Sequence, residues 1–184
     1  MMMRRQKDRF TKDYETRLSP KGKTEYVYKG PYFKLTWTPE KRRQGIVVAF
    51  FVPICSLALF ILGGMTNGSA SRHMIAAPLF VTIVMPILLL LGDAYKLLIA
   101  KGEMKRAEYE RCILQMKHST LAGCILSALA AVAALLHMVI QKQWEAQNIL
   151  FFCVTCGLVF LHFLFHTYQK KELTVFIIDT SQKF

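Results

Sequence analysis

The apolar run from Ser119 to Ile140 constrains the fold of this chain more than any other feature. Its 22 residues include no Asp, Glu, Lys or Arg, and about 20 such residues span the hydrocarbon core of a bilayer. Small residues recur at every fourth position and make one face of the predicted helix nearly flat: Ser119, Gly123, Ser127 and Ala131. Flat faces let helix backbones approach closely in lipid. We therefore expect a central membrane helix against which three other spans pack.

Further apolar runs extend this pattern to four predicted spans: residues 46–64, 74–92, 119–140 and 149–166. Residues 103–118 have a helical apolar pattern and should form an extension that leads into the third span. The hydrophobic fraction is 53% although the net charge is +12, which requires apolar and charged residues to be segregated along the chain. The predicted fold is an all-α membrane protein, a four-transmembrane-helix bundle. Its first partner is the lipid bilayer, and nucleic acid is not an expected partner.

Basic residues indicate the orientation of the bundle. Residues 1–45, 93–118 and 167–184 hold 13, 6 and 3 Lys or Arg, 22 of the 24 in the chain. Positively charged loops stay in the cytoplasm, so both termini are expected there. The basic N-terminal segment has no apolar signal core, and the glycosylation sequon at Asn67 lies in a loop close to the bilayer. These features favour a bacterial cytoplasmic membrane.

The segments on the cytoplasmic side suggest a small sheet. Residues 1–23 are polar and basic and predict a flexible cytoplasmic tail. Residues 24–37 contain two β-favouring runs around Gly30-Pro31, which predicts a juxtamembrane hairpin. A lone hairpin is marginal in water, and the C-terminal segment 167–184 contains the β-favouring stretch 173–178. We expect the hairpin and this C-terminal strand to form one cytoplasmic β-element.

The predicted spans carry almost no ionisable residues, and none of their midpoints holds an Asp, Glu, Lys or Arg. Ion-coupled transporters usually hold such a residue near the midplane, and common hydrolase, zinc-protease and nucleotide-binding motifs are absent from the sequence. The leading hypothesis is a non-enzymatic interaction or accessory subunit without a cofactor. Its partner would be another membrane protein or a second copy of the chain. A third hypothesis, a small transporter or channel, would need a polar pore, which the four predicted spans do not visibly supply.

The sequence Cys153-Val154-Thr155-Cys156 places two cysteines one helical turn apart in the fourth span. In helix count and in this cysteine pair the chain resembles the four-helix quinone-linked thiol oxidoreductases, of the vitamin K epoxide reductase and disulfide-bond-forming protein B type. The resemblance implies thiol redox chemistry at Cys153 and Cys156. Those families also use a second cysteine pair in an outer loop, whereas residues 65–72 contain no cysteine. The other reading of the pair is packing by small apolar side chains.

Histidines supply the remaining candidates. His137 is expected near Cys153 at the outer end of the bundle, where thiol, thioether and imidazole groups suit copper(I) or zinc. A thiol-redox or metal-binding protein that uses Cys153, Cys156 and His137 is therefore the alternative function. At the inner end, four residues are expected at the polar boundary of the membrane: Asp93, His118, His162 and His166. We favour interfacial hydrogen bonding for these four over metal binding.

Overall fold

The computed structural model describes residues 13–18, 24–100, 103–173 and 175–178. The chain is mostly helical, and four helices are long and apolar enough to cross a membrane, as the sequence predicts. The helical segments are α1 Pro39–Gly64, α2 Ala76–Thr82, α3 Val84–Ile99, α4 Arg106–Tyr109, a π-helical segment Glu110–Leu114, α5 Gln115–Gln141 and α6 Ala146–Glu172. The second membrane-length helix joins α2 and α3, and the third runs from α4 through the π-helical segment into α5.

Helix α1 begins at a favourable capping sequence. The Thr38 hydroxyl accepts a hydrogen bond from the backbone N–H of Lys41 at 3.4 Å, and Pro39 occupies the first helical position. Thr is a good N-cap, and a proline at this position has no N–H to leave unpaired. The helix then continues through Pro53 to its end.

The second membrane-length helix is interrupted at Ile83, between α2 and α3. Pro86 follows three residues later. Because a proline has no N–H, Pro86 cannot donate to the carbonyl oxygen of Thr82 one turn earlier. The interruption therefore lies where the sequence removes a helical hydrogen bond.

The third membrane-length helix begins later than the predicted extension over residues 103–118. Residues 103–105 form a strand, and the helix starts at Arg106. The Glu108 carboxylate accepts a hydrogen bond from the backbone N–H of Lys105 at 3.1 Å and so caps the helix there. One turn later the helix widens into the π-helical segment, a feature that often marks functional sites.

Helices α5 and α6 form the most extensive helix pair of the bundle. Helix α5 also packs on α2 and α3, whereas α1 packs mainly on α3 and α6. The expectation that all other spans pack on the helix of residues 119–140 is therefore wrong for α1, which closes the bundle from the opposite side. Two clusters of buried apolar side chains fill the interior, one toward each end of the helices.

Five short strands form two sheets: β1 Tyr14–Leu18, β2 Thr24–Tyr28, β3 Tyr32–Leu35, β4 Glu103–Lys105 and β5 Val175–Ile178. Strands β1 and β2 pair with each other, and the second sheet has the order β4-β3-β5 with antiparallel neighbours. The second sheet joins the segment before α1, the connection after α3 and the segment after α6. All three therefore lie at one end of the bundle, here termed the basic end. The opposite end, with connections 65–75 and 142–145, is termed the short-loop end.

The predicted hairpin over residues 24–37 is wrong, because β2 pairs with β1 and β3 belongs to the other sheet. The backbone N–H groups of Lys29 and Gly30 donate to the carbonyl oxygen of Asp13 at 2.8 and 3.2 Å, so the chain follows the N-terminal segment beyond β2. Pro31 has no N–H to continue this pairing. The predicted flexible tail is wrong for Asp13 and β1, and residues 1–12 and 19–23 lie outside the described residues. The C-terminal strand pairs with β3, as expected.

Trp37 ties two elements together at the basic end. Its Nε1 donates to the carbonyl oxygen of Glu172 at 2.6 Å, an acceptor that the end of α6 leaves without a helical partner. Its ring packs over Gly45, where a Cβ would lie 2.5 Å from the ring atom Cη2.

Trp37→Ala is expected to lower the free energy of unfolding by about 2 to 4 kcal/mol, because it removes both the ring packing and the hydrogen bond. Thermal unfolding in detergent micelles measures the change. Trp144→Ala is the matched control, since Trp144 is 57% exposed at the short-loop end. Equal losses of stability in the two variants would contradict this role for Trp37.

Candidate functional site

The small-residue face of α5 lies inside the bundle. Its four members are all buried: Ser119, Gly123, Ser127 and Ala131. A Cβ built on Gly123 would lie 3.0 Å from Nε2 of His162 in α6, so the imidazole fills the space that the missing side chain leaves. The residues singled out for helix packing are therefore used within the chain, against its own α6.

His162, Ser56 and Ser127 form a layer of buried polar groups. Neither ring nitrogen of His162 has a hydrogen-bond partner among the described residues, and the same holds for the Oγ atoms of Ser56 and Ser127. Ser127 follows Gly123, the neighbour of His162, by one helical turn, about 6 Å. Ser56 precedes Leu59 by three residues. Leu59 contacts Gly157, which lies five residues before His162. Both serines therefore lie within about 6 Å of His162 along the bundle axis. Polar groups buried without partners are costly, which makes this layer one candidate functional site.

Hydrogen bonds join α3 to the π-helical segment at the basic end, next to a buried ion pair within α3. Asp93 is fully buried, and its Oδ1 accepts from Lys96 Nζ at 2.7 Å. Lys96 also donates to the carbonyl oxygen of Arg111 at 3.3 Å, and the Cys112 thiol donates to the carbonyl oxygen of Asp93 at 3.8 Å. A buried carboxylate needs such a partner to remain charged. The hydrogen bonds donated by Lys96 and Cys112 therefore fix the π-helical segment against α3.

The four inner-end candidates do not meet in one site. Asp93 is engaged with Lys96, His118 is exposed, and His162 is buried under Gly123. His166 is half-buried one turn beyond His162. In the part of the chain that the structure describes, no group of three or more His, Cys, Asp or Glu side chains could hold a metal ion. Neither these four residues nor the trio of His137, Cys153 and Cys156 forms such a group.

His137 belongs to a hydrogen-bonded cluster at the short-loop end. Its Nε2 lies 3.1 Å from Ser69 Oγ, and its ring centroid lies 4.6 Å from that of His73. Asn148 is fully buried beside them. Its Oδ1 accepts from a backbone N–H of the first connection at 2.9 Å, and its Nδ2 donates to a backbone carbonyl of the second connection at 3.1 Å. The cluster joins the two connections to each other.

Sequence reasoning missed two buried amide side chains of α6, Asn148 and Gln169. The Gln169 Nε2 donates to the Thr120 hydroxyl at 2.9 Å and so links α6 to α5 near the basic end. An amide at either end of an apolar run is the signal that could have indicated both, because a buried amide needs partners on neighbouring elements.

The cysteine pair of α6 lies on the outside of the bundle. Both thiols are free, Cys153 is exposed, and Cys156 is half-buried. Cys156 lines an apolar groove of about 430 Å³ between α5 and α6. Thiol chemistry depends on a thiolate, which cationic neighbours favour, whereas the walls of this groove are formed by Ala, Val, Leu and Phe.

Aromatic contacts hold the two sheets against the start of α4. The ring of Phe33 in β3 stacks on Tyr109 with centroids 4.5 Å apart. The Tyr28 hydroxyl accepts from the backbone N–H of Arg106 at 3.0 Å and donates to the carbonyl oxygen of Pro31 at 2.9 Å. Burial raises the pKa of Tyr28 above its ordinary value, so the hydroxyl keeps the proton that it donates. These contacts therefore fix the position of both sheets relative to α4.

Comparisons with protein-family models, curated proteins and solved structures found no match to this chain. The functional proposals below therefore depend on the chemistry and geometry of its own residues.

Gly123→Leu is expected to destabilise the bundle by about 1 to 3 kcal/mol, because the added side chain overlaps the buried imidazole of His162. Gly92→Leu is the matched control, since a Cβ on Gly92 meets nothing within 4 Å. Adding His162→Ala to Gly123→Leu should restore part of the loss by making room. Thermal unfolding of the wild type, Gly123→Leu, His162→Ala and the double variant measures the coupling between the two positions. Purely additive losses of stability would show that the introduced leucine side chain and the imidazole do not overlap.

Proposed function

We propose that this chain is an integral membrane protein of four spans with both termini in the cytoplasm. It serves as a non-enzymatic interaction or accessory subunit for another membrane protein or for a second copy of itself. Four helices of membrane-spanning length and hydropathy support its insertion. The segments attached to the basic end contain 22 of the 24 Lys and Arg residues, which supports a cytoplasmic position for that end.

Strand β5 carries the interaction proposal because it exposes a large apolar side chain on each of its faces. In the register with β3, Phe33 lies opposite Ile177 and Lys34 lies opposite Phe176, and successive side chains of a strand point to opposite faces. Phe176 and Ile177 are each 68% exposed. No described strand pairs with the outer edge of β5.

An exposed apolar edge strand is a liability that proteins usually cover. An extended partner segment that adds as a further strand would satisfy the free backbone groups of β5 and bury both apolar side chains. The sheet is suited to this because three separate segments of the chain hold it in place at the basic end. The mode of binding we propose is therefore strand addition to β5.

The alternative function, thiol-redox or metal chemistry at Cys153 and Cys156, has less support. Cys153 is at the surface of the bundle, and Cys156 lines an apolar groove. Neither position offers the cationic surroundings that activate a thiol. The edge of β5 offers both backbone groups and apolar side chains to a partner, so we favour the interaction function.

A photo-activated phenylalanine analogue in place of Phe176 tests the proposal in membranes. The same analogue in place of Tyr95 is the control, because Tyr95 is an exposed aromatic residue on α3 near the same end. Position 176 is expected to crosslink to one protein, either a distinct partner or a second copy at twice 21.1 kDa, and position 95 is expected not to. Crosslinks to lipid alone from both positions would contradict the proposal.

Ile177→Lys should reduce the crosslink from position 176 about tenfold or more, because burying one such apolar side chain contributes about 1.5 to 3 kcal/mol and a lysine there is left unpaired. Tyr26→Lys is the matched control on β2, where Tyr26 is 74% exposed. Quantitative immunoblotting of the crosslinked band measures both. An unchanged band with Ile177→Lys, or an equal loss with Tyr26→Lys, would exclude β5 as the contact.

A further inference from the structure

A cavity of about 640 Å³ lies between α3 and the third membrane-length helix, near the basic end. It opens on the surface of the bundle, where Met85 and Leu89 of α3 are 60% and 44% exposed. The full set of lining residues comes from two stretches: Met85, Pro86 and Leu89 on one side, and Glu110, Arg111, Leu114, Gln115, His118, Ser119 and Ala122 on the other. We refer to it as the α3–α5 groove.

Helix geometry is irregular on both sides of the groove. On one side, Pro86 follows the interruption at Ile83, and a proline displaces the backbone of the preceding turn. On the other side, residues 110–114 form the π-helical segment, which is hydrogen-bonded to Asp93 and Lys96 of α3. Pro86 lies about two turns before Asp93, so the two irregular features lie at opposite ends of the groove.

The two ends of the groove differ in chemistry. Toward the middle of the bundle its walls are apolar, with Met85, Leu89 and Ala122. Toward the basic end, Arg111, Gln115 and His118 supply a guanidinium, an amide and an imidazole. Positions 115, 118 and 122 lie three or four residues apart in α5 and therefore share one face of that helix. The groove is an apolar channel with hydrogen-bond donors at its mouth.

The mouth holds an arginine that no described acidic side chain neutralises. Arg111 and His118 are exposed, and within the described part of the chain their side chains have no hydrogen-bond or ion-pair partner. The nearby carboxylate of Glu110 is engaged with Arg106, whose Nε lies 3.2 Å from Oε1. The ammonium of Lys96 is engaged with Asp93. The guanidinium of Arg111 is therefore left available to an anion, and guanidinium groups match phosphate geometry well.

The groove crosses the basic-end edge of the predicted spans. Ala122 lies three residues inside the span of residues 119–140, and Leu89 lies inside the span of residues 74–92. Arg111 precedes residue 119 by eight positions, about 12 Å along a helix axis, and a long arginine side chain reaches back from there toward the headgroups. With the helices inserted as proposed, the groove therefore joins the edge of the hydrocarbon core to the headgroup region.

We propose that the α3–α5 groove binds an anionic phospholipid of the basic-end leaflet. The lipid phosphate contacts the Arg111 guanidinium and a ring N–H of His118, and one acyl chain lies along Met85, Leu89 and Ala122. This site depends on the membrane insertion proposed above, but not on the partner proposed for β5. Charge selects the headgroup, and the apolar walls distinguish a lipid from a free anion.

Native mass spectrometry of the full chain tests the site. Purified protein in detergent is mixed with equal amounts of phosphatidylglycerol and phosphatidylcholine that carry the same acyl chains, and the retained lipid is counted. The wild type should retain phosphatidylglycerol preferentially. Arg111→Gln should weaken that retention about fivefold, as expected for one basic residue near an anionic headgroup. Arg43→Gln is the matched control, because Arg43 is an exposed arginine at the basic end outside the groove.

A second variant tests the acyl-chain part without changing charge. Ala122→Phe fills the groove and should lower retention of phosphatidylglycerol, whereas Leu121→Phe, at an exposed position outside the groove, should not. Equal retention of the two lipids by the wild type, or wild-type retention by Arg111→Gln, overturns the proposal. Displacement of the lipid by free glycerol phosphate at similar concentration also overturns it, because that result indicates a simple anion site.

Alkaline extraction of liposomes that contain the protein distinguishes a failure of membrane insertion from a failure of the groove proposal. If the chain is extracted with peripheral proteins, the membrane function itself fails. If it stays with the lipid but shows no preference for phosphatidylglycerol, only the groove proposal fails. Retention in the membrane together with loss of selectivity in Arg111→Gln supports membrane insertion and the groove site.

Discussion

Backbone pairing of β3 with both β4 and β5 is the constraint on which the arrangement of this chain depends. It brings the segment before α1, the connection after α3 and the segment after α6 to one end, so the four long helices must run in alternating directions. Side chains reinforce the same junction: Trp37 donates to the last carbonyl of α6, and Arg42 donates to the carbonyl oxygen of Ala100 at 2.6 Å. These bonds use carbonyl groups that helix ends leave without partners, so the sheet and the helix ends stabilise each other.

The interior of the bundle is held together by close packing rather than by charge. Gly123 admits the imidazole of His162, and the buried amides Asn148 and Gln169 supply directional bonds at the two ends. This is the combination expected where lipid provides no hydrophobic force between helices. The same packing uses up the small-residue face of α5, so the proposals concern two surfaces outside it: the exposed strand β5 and the groove beside the π-helical segment. Both proposed interactions therefore lie outside the well-packed core.

Apolar run length was enough to predict the four long helices, because a stretch such as 119–140 has few other stable structures. Pairing of the strands was harder to predict. Residues 24–37 alternate like a hairpin, yet β2 pairs with β1, since Lys29 and Gly30 bond to Asp13 and Pro31 cannot extend the ladder. Local pattern does not reveal which strand a segment meets. For the same reason the sequence indicated Gly123 as a packing position but not that His162 would fill it, and it did not indicate the groove at all, because a π-turn has no simple sequence signature.

The most direct test of this account is the side of the membrane on which each end of the bundle lies. Single cysteines are placed at Tyr26 on β2 and at Lys142 in the second short connection, in a cysteine-free background. Intact cells are then treated with a membrane-impermeant maleimide. The account predicts that Lys142→Cys is labelled in intact cells and that Tyr26→Cys is labelled only after permeabilisation. Labelling of both positions in intact cells, or of Tyr26→Cys alone, would contradict the four-span arrangement with its basic end in the cytoplasm.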